Sequence, residues 1–259
     1  MSEALLVDIG NRRIKWVRCR DGKLGRSQAA PHAGWTKVDY GRRLFNGRSL
    51  PAHALISSVA GVEVNRALAS AARRAGVAVE FVRVPRRAGG VTVGYIEPWR
   101  LGADRFVAAI GAHALFPHLP LCVVGVGTAM TIDLVGADGR HRGGIIIPSP
   151  ALMVDTLLRR TDGIRRRARG GARGGGGLFG RSTRAGIVDG ARYAAGALID
   201  RAVEEARGLV GRRPLVVIHG GEAAAVRSLL HSACVGVPDL VLRGLAVLAC
   251  ARQRSSPLN

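Results

Sequence analysis

The sequence predicts an α/β fold built from two halves with related openings. Two observations carry this: apolar strand-like runs alternate with helix-periodic segments along the chain, and one hairpin pattern occurs twice. Ala4 to Val17 (ALLVDIGNRRIKWV) is an apolar run, a Gly-Asn turn and a second run of alternating character, which is the pattern of a β-hairpin. Leu121 to Val135 (LCVVGVGTAMTIDLV) repeats that order, with Met130, Ile132 and Leu134 alternating with Thr131 and Asp133. Aligning Gly10 with Gly127 sets an offset of 117, which puts Asn11 opposite Thr128 and Asp8 opposite Gly125. The expected division gives one lobe over residues 1–117 and another over 118–259.

After the first hairpin, Ala54 to Val59 and Ala78 to Val84 read as strands, and Val62 to Ala75 between them as a helix. Arg100 to Leu115 carries the next helical period. Beyond the second hairpin, Ile164 to Phe179 (IRRRARGGARGGGGLF) is too rich in glycine to hold a regular element and reads as a mobile loop or linker. Gly180 to Leu209 is a long amphipathic helical pattern through Ala191, Ala194, Ala195, Leu198, Ile199 and Val203. Pro214 to Ile218 is a short buried strand that runs into His219-Gly220-Gly221 and a helix from Glu222 to Leu230. At such a strand-glycine-helix junction the backbone approaches a ligand closely.

Composition narrows the class. The 259 residues are 47% hydrophobic, enough for one large domain or two packed halves, and disorder of the whole chain is excluded. The longest apolar stretch, Phe106 to Phe116, falls short of the roughly 18 to 20 residues that span a bilayer. No basic region precedes the first short apolar run, so no cleaved secretory signal is expected and the cytoplasm is the expected compartment. Cys19, Cys122, Cys234 and Cys250 lie far apart without ligand spacing, which indicates neither a zinc site nor a disulfide framework. The formal charge of +21 rests on arginine, since only Lys15, Lys23 and Lys37 of the 39 basic residues are lysines. Nucleic acid is expected only through this nonspecific basic surface, and with 4% aromatics a base-stacking platform is poorly supplied.

The familiar nucleotide fingerprints are missing. No GxxxxGK[ST] occurs, and Gly125-x-Gly127 has Met130 where a dinucleotide motif needs its third glycine. Asp8-Ile9-Gly10-Asn11 instead places a carboxylate at a strand end beside a turn whose backbone N–H groups face an anion, and Lys15 follows on the return strand. Tyr95-x-x-Pro98-x-x-Leu101-Gly102-Ala103-Asp104-Arg105 precedes an apolar helix. Gly102 lets the backbone crowd a ligand, Arg105 supplies a fork for carboxylate or phosphate, and a carboxylate at a helix N-terminus is suited to accept a hydroxyl proton. Gly127-Thr128-Ala129 forms a second Gly-Thr turn, followed by Gly143-Gly144-Ile145-Ile146-Ile147-Pro148. Two such turns would complete a phosphate clamp of the kind phosphoryl transfer needs.

In the order of these motifs the chain resembles the type III pantothenate kinases, members of the acetate kinase, sugar kinase, Hsc70 and actin superfamily. Further landmarks of the resemblance are Ser58-Val59, Gly180-Arg181-Ser182-Thr183 with Ile187 and Gly190, and Leu240 to Leu245. It implies two ribonuclease H-like lobes of the actin-like ATPase superfold, with mixed sheets flanked by helices. It also implies transfer of the γ-phosphoryl group of ATP to pantothenate, the first step of coenzyme A biosynthesis, with Asp104 as general base. Tyr95, Gly102, Ala103, Asp104, Arg105 and Thr183 would hold pantothenate. Asp8, Ile9, Gly10, Asn11, Arg12, Arg13, Ile14 and Lys15 with Gly127 and Thr128 would cradle the ATP phosphates, and Gly220 and Gly221 would pass near the adenosine. A homodimer, Mg²⁺ and a monovalent cation, K⁺ or NH₄⁺, belong to the same implication.

Three positions depart from the family pattern. Gly125 stands where the family generally has an aspartate that ligates the monovalent cation, Arg12 where it has a small hydroxyl residue, and Ser149 where a glycine commonly follows the proline. Either the Arg12 guanidinium replaces the charge of a missing cation, or the catalyst is weakened. The second case leaves open a regulatory protein, such as a transcription accessory, or a nucleic-acid binder. A kinase of the same superfold acting on another small hydroxylated acid is a third reading.

Overall fold

The computed structural model describes residues 3–47, 49–171, 174 and 177–255, with side chains described as far as residue 252. Its first strands are β1 (Glu3–Ile9), β2 (Arg13–Arg20), β3 (Lys23–Leu24) and β4 (Gln28–Pro31). Helix α1 (Lys37–Leu44), β5 (His53–Ser58), α2 (Val62–Arg74) and β6 (Ala78–Phe81) follow. The small ladder β7 (Arg87–Ala88) and β8 (Val91–Thr92) then leads through a 3₁₀ turn at Pro98–Arg100 into α3 (Ala103–Leu115). The chain continues with β9 (Leu121–Val126), β10 (Ala129–Val135), β11 (His141–Pro148), α4 (Pro150–Arg160), α5 (Asp162–Arg167) and α6 (Thr183–Val210). It ends with β12 (Leu215–His219), α7 (Ala223–Arg227), β13 (Cys234–Gly236) and α8 (Leu240–Ser255).

Two compact units result. One comprises residues 1–117, 139–141 and 239–259, the other residues 118–138 and 142–238. Each is built on a mixed sheet of the same design. In the first the order is β3-β2-β1-β5-β6, with β4 also paired to β2; in the second it is β11-β10-β9-β12-β13. In both, an antiparallel hairpin supplies the central strand, and two further strands join it in parallel. The 117-residue offset thus reflects a repeated topology. The turns differ in length, because Ile9 pairs with Ile14 across four residues while Val126 pairs with Met130 across three.

β1 is apolar on both faces and nearly wholly buried, as a central strand covered on two sides must be. Leu5, Val7 and Ile9 join Ile14, Trp16, Tyr40 and Leu68 in the core of the first unit. The second core sets Val124, Val126, Met130 and Ile132 against Ala195, Ile199 and Val203 of α6. That long helix starts on Ser182, whose side chain accepts the Ala185 N–H, and stops at Gly211 in the left-handed region.

Several elements depart from expectation. From Asp239 to the end of α8 the chain returns to the first unit, where α8 packs on α3. The reason is local: Cβ atoms built on Gly244 and Gly111 would lie 1.9 Å from Val107 O and 2.6 Å from Leu240 O, so only glycine allows the two backbones to approach this closely. Helix α3 begins at Ala103 rather than Arg100, because Pro98 opens a separate 3₁₀ turn. Residues 164–167 of the glycine-rich tract are helical in α5, and 172, 173, 175 and 176 lie outside the described residues. Helix α7 stops at Arg227 instead of Leu230. Helices α1, α4 and α8 had no place in the sequence reading.

Candidate functional site

In the first unit, the carboxyl end of β1, its turn and the start of α3 concentrate charge. Asp8 pairs with Lys15 across the hairpin, so both side chains lie on one face of the sheet. Lys15 Nζ reaches Asp239 Oδ1 at 3.0 Å, and Ser27 Oγ donates to Asp239 Oδ2 at 2.6 Å. Burial pushes the Asp239 carboxyl up, but the bonds from Ser27 and Lys15 outweigh it and leave its pKa below the ordinary range. Asp8 shows the opposite balance. Burial and the neighbouring Asp104 carboxylate push it up to about 7, against the pull of Lys15. Lys15 thus has Asp239 as its ion-pair partner and Asp8 opposite it in the hairpin, with Asp104 close enough to Asp8 to raise its pKa.

Ile9 and Ile14 are buried and pin the turn, whereas Asn11, Arg12 and Arg13 are exposed. The turn closes through the Gly10 N–H and Arg13 O at 3.0 Å. His32, 4% exposed, holds it from behind: Nε2 lies 2.8 Å from Gly10 O and Nδ1 3.2 Å from Tyr40 Oη. Because a carbonyl only accepts, Nε2 is the donor to Gly10 O, and in that tautomer of the neutral ring Nδ1 faces the tyrosine hydroxyl as an acceptor.

Asp104 lies in the first turn of α3 behind the Gly102 cap. Its Oδ1 accepts the Arg105 N–H at 2.8 Å, and a Cβ at residue 102 would come within 2.8 Å of that oxygen. Ala103 opens the helix and Arg105 turns inward, 7% exposed. Arg105 Nη1 donates to Tyr95 Oη at 3.2 Å, and the guanidinium carbon is 5.9 Å from the Tyr95 ring centre. His141 also meets the Tyr95 ring at a tilt, with ring centres 5.5 Å apart. Arg86 braces this segment by donating to the carbonyls of Val93, Tyr95 and Ile96. A fixed carboxylate, a half-buried phenol and a planar cation thus share one neighbourhood, which suits an acceptor carrying both a hydroxyl and a carboxylate.

In the second unit, the Gly127 N–H bonds Ala129 O at 3.0 Å, leaving an exposed turn with Thr128 half-buried. Gly220 has φ 108, and a Cβ there would meet Val126 O at 2.2 Å, so only glycine lets the end of β12 lie against the end of β9. Gly221 is exposed beside it. Ser149 caps α4, its Oγ accepting the Leu152 N–H, which accounts for a hydroxyl residue after Pro148. Thr183 is the first residue of α6, directly after the Ser182 cap.

The predicted residues divide between the units: Asp8 to Lys15, Tyr95 and Gly102 to Arg105 belong to the first, Gly127, Thr128, Thr183, Gly220 and Gly221 to the second. His32, His141 and Asp239 escaped the sequence reading. Lys15 and Asp239 are 224 positions apart, and no local pattern marks such a pair. His141 follows a Gly-Arg turn with nothing to distinguish it from a surface histidine. Four free cysteines are present among the described residues, and these residues include no cluster of three or more His, Cys, Asp or Glu able to hold a metal.

A family model described as type III pantothenate kinase matches residues 4–205. A type III pantothenate kinase of Stenotrophomonas maltophilia is 36% identical over 243 residues, covering 93% of this chain and 95% of that protein. Among solved structures, a Campylobacter jejuni protein described as a Baf family transcriptional activator aligns with a TM-score of 0.62 at 17% identity, over 96% of this chain and 99% of that one. The (R)-2-hydroxyglutaryl-CoA dehydratase component A of Acidaminococcus fermentans aligns with a TM-score of 0.55 at 12% identity, over 99% and 100%. Such identities speak to fold alone, and the fold is the α/β superfold of actin-like ATPases and sugar kinases.

Proposed function

Because the chain belongs to the type III pantothenate kinase family, we propose that it transfers the γ-phosphoryl group of ATP to the primary hydroxyl of pantothenate, giving 4'-phosphopantothenate. The observation that carries the catalytic assignment is the Asp104 carboxylate, fixed by the Arg105 N–H at the start of α3 and close enough to Asp8 to raise its pKa. Asp104 takes the proton of the attacking hydroxyl. Arg105 meets the pantothenate carboxylate with its fork, and Tyr95, Gly102 and Ala103 shape the space around the acceptor. Thr183, at the start of α6, is assigned to pantothenate by the family pattern alone.

The turn from Gly10 to Arg13, with Asp8, Ile9, Ile14 and Lys15 on its strands, would meet ATP phosphates through backbone N–H groups left outside its own hydrogen bond, and the turn at Gly127 and Thr128 of the second unit is assigned to phosphate by the same family pattern. Gly220 and Gly221 run beside the adenosine. Mg²⁺ would arrive on the ATP phosphates and neutralise charge between them, and Asp8 is the carboxylate that would hold it on the protein side. The monovalent cation of the family does not fit: Gly125 offers no side-chain oxygen, and Thr131 Oγ1 and His219 Nε2 would stand 3.0 and 3.2 Å from any Cβ there.

We place the reaction in the cytoplasm, where ATP and reduced thiols are at hand; among the described residues no helix is long and apolar enough to cross a membrane. Pairing of two copies is supported by Ile96 and Trp99, 93% and 67% exposed beside Tyr95. A regulatory role is not favoured, since the curated relative is a kinase along nearly its whole length. The test of the catalytic assignment is Asp104→Asn, assayed by the mass of the phosphorylated product. Turnover should fall by about 10² or more while thermal stability is retained. Near-normal turnover removes Asp104 from the mechanism.

A further inference from the structure

Gly125 sits near the carboxyl end of β9, two residues before the phosphate-facing turn. Its register partners are Thr131 on β10 and His219 on β12, and side chains of residues in register share a face of the sheet. They close over the glycine from both sides, with Thr131 Oγ1 3.0 Å and His219 Nε2 3.2 Å from where a Cβ would be. The equivalent place in the first sheet holds Asp8, in register with Lys15 and Ser57. Two sheets of one design thus carry different chemistry at the same position. One has a carboxylate beside an ammonium; the other has no side chain beneath a hydroxyl and an imidazole.

His219 is also held in place by its neighbour. Gly220 packs its backbone against Val126, and the Glu222 N–H bonds Val126 O at 3.4 Å, so the end of β12 is tied to the strand that carries Gly125. An imidazole nitrogen is a ligand for borderline metals, whereas a hard monovalent cation needs a shell of oxygens. We infer that His219, with Thr131, fills the place of a cation-ligating side chain over Gly125, supports the Gly127–Thr128 turn directly, and makes nucleotide binding independent of a monovalent cation.

This rests on the kinase reading, so the test separates the two. The full chain is titrated with a nonhydrolysable ATP analogue and Mg²⁺ by calorimetry, in potassium chloride and in tetramethylammonium chloride at equal ionic strength, and phosphorylation of pantothenate is followed in both salts. The analogue affinity should agree between salts within about threefold, under 0.7 kcal/mol. Tightening by more than that in potassium overturns the inference, as does no analogue binding in either salt. Analogue binding that is indifferent to the salt, without phosphorylation in either, supports the inference while rejecting the kinase reading.

His219→Ala should weaken the analogue about tenfold in both salts, the loss of one charge-assisted or well-placed hydrogen bond, and raise the ATP KM with the pantothenate KM unchanged. An affinity within about threefold of the native chain would remove His219 from this role. Should that variant fail to fold, His219→Gln keeps a side-chain N–H donor and should retain binding within the same limit; its loss of binding would equally overturn the assignment.

Discussion

Replacing Asp8 by asparagine should make the ligand-free protein more stable at alkaline pH, and by an amount set by its surroundings. Burial, then the Asp104 carboxylate, lift the Asp8 pKa from 3.8 to about 7, while Lys15 opposes. In the unfolded chain the group returns to its ordinary value. A carboxyl whose native pKa is raised binds its proton more tightly in the native state, so stability falls as pH climbs from about 4 through about 7 and stays low above it. At about 1.4 kcal/mol per pH unit, the gap of roughly three units corresponds to an upper bound of ~4 kcal/mol. The amide keeps the shape, loses the charge and still needs hydrogen-bond partners, so a net gain of about 1–3 kcal/mol at pH 8 is expected. For a chain of this size that is a rise of roughly 2–10 °C in Tm. The assay is thermal unfolding of both proteins from pH 4 to 9 in EDTA without nucleotide. The two curves should converge near pH 4 and separate above pH 6. A difference independent of pH, or an asparagine variant less stable at pH 8, would refute the reasoning. The same variant should lose kinase activity, because a site that collects carboxylates for a metal nucleotide holds them at a cost in stability.

Three other outcomes follow from the geometry. Arg105→Ala should raise the pantothenate KM by about tenfold or more, as a paired fork is lost; a change confined to the ATP KM would place Arg105 elsewhere. Gly244→Ala should destabilise the first unit by about 3 kcal/mol or more, since its methyl would meet Val107 O at 1.9 Å, and urea unfolding measures it. Gly102→Ala would press on Asp104 Oδ1 at 2.8 Å, so kcat should fall by about tenfold or more with stability nearly unchanged; an unaltered kcat would show that the carboxylate tolerates displacement.

Both hairpins, the two central helices α2 and α3, the long α6 and the strand before Gly220 were legible in the sequence, because each writes its burial as a local period of apolar residues. The motifs around Asp8, Tyr95, Asp104 and Thr128 were legible too, since turns and helix starts demand particular residues at fixed spacings. Helix α8 was not: Leu240 to Leu245 entered the sequence reading only as a landmark of the family resemblance, and nothing in that stretch says that it leaves the half it follows to pack on α3 at Gly244 and Gly111. The glycine-rich tract misled in part, because its first residues, 164–167, are an isoleucine and three arginines that suit the helix begun at Asp162, and the glycines come only after them.

What the sequence determined by itself is the α/β class, the repeated opening and the residue types that chemistry would use, all of them properties of neighbours along the chain. Only the tertiary structure decided that Lys15 answers to Asp239, that His32 holds the Gly10 carbonyl, that Tyr95 meets both Arg105 and His141, and that His219 covers Gly125. These pairings depend on strand register and helix crossing. Register and crossing are selected by the burial of whole faces at once, so no stretch of sequence contains them.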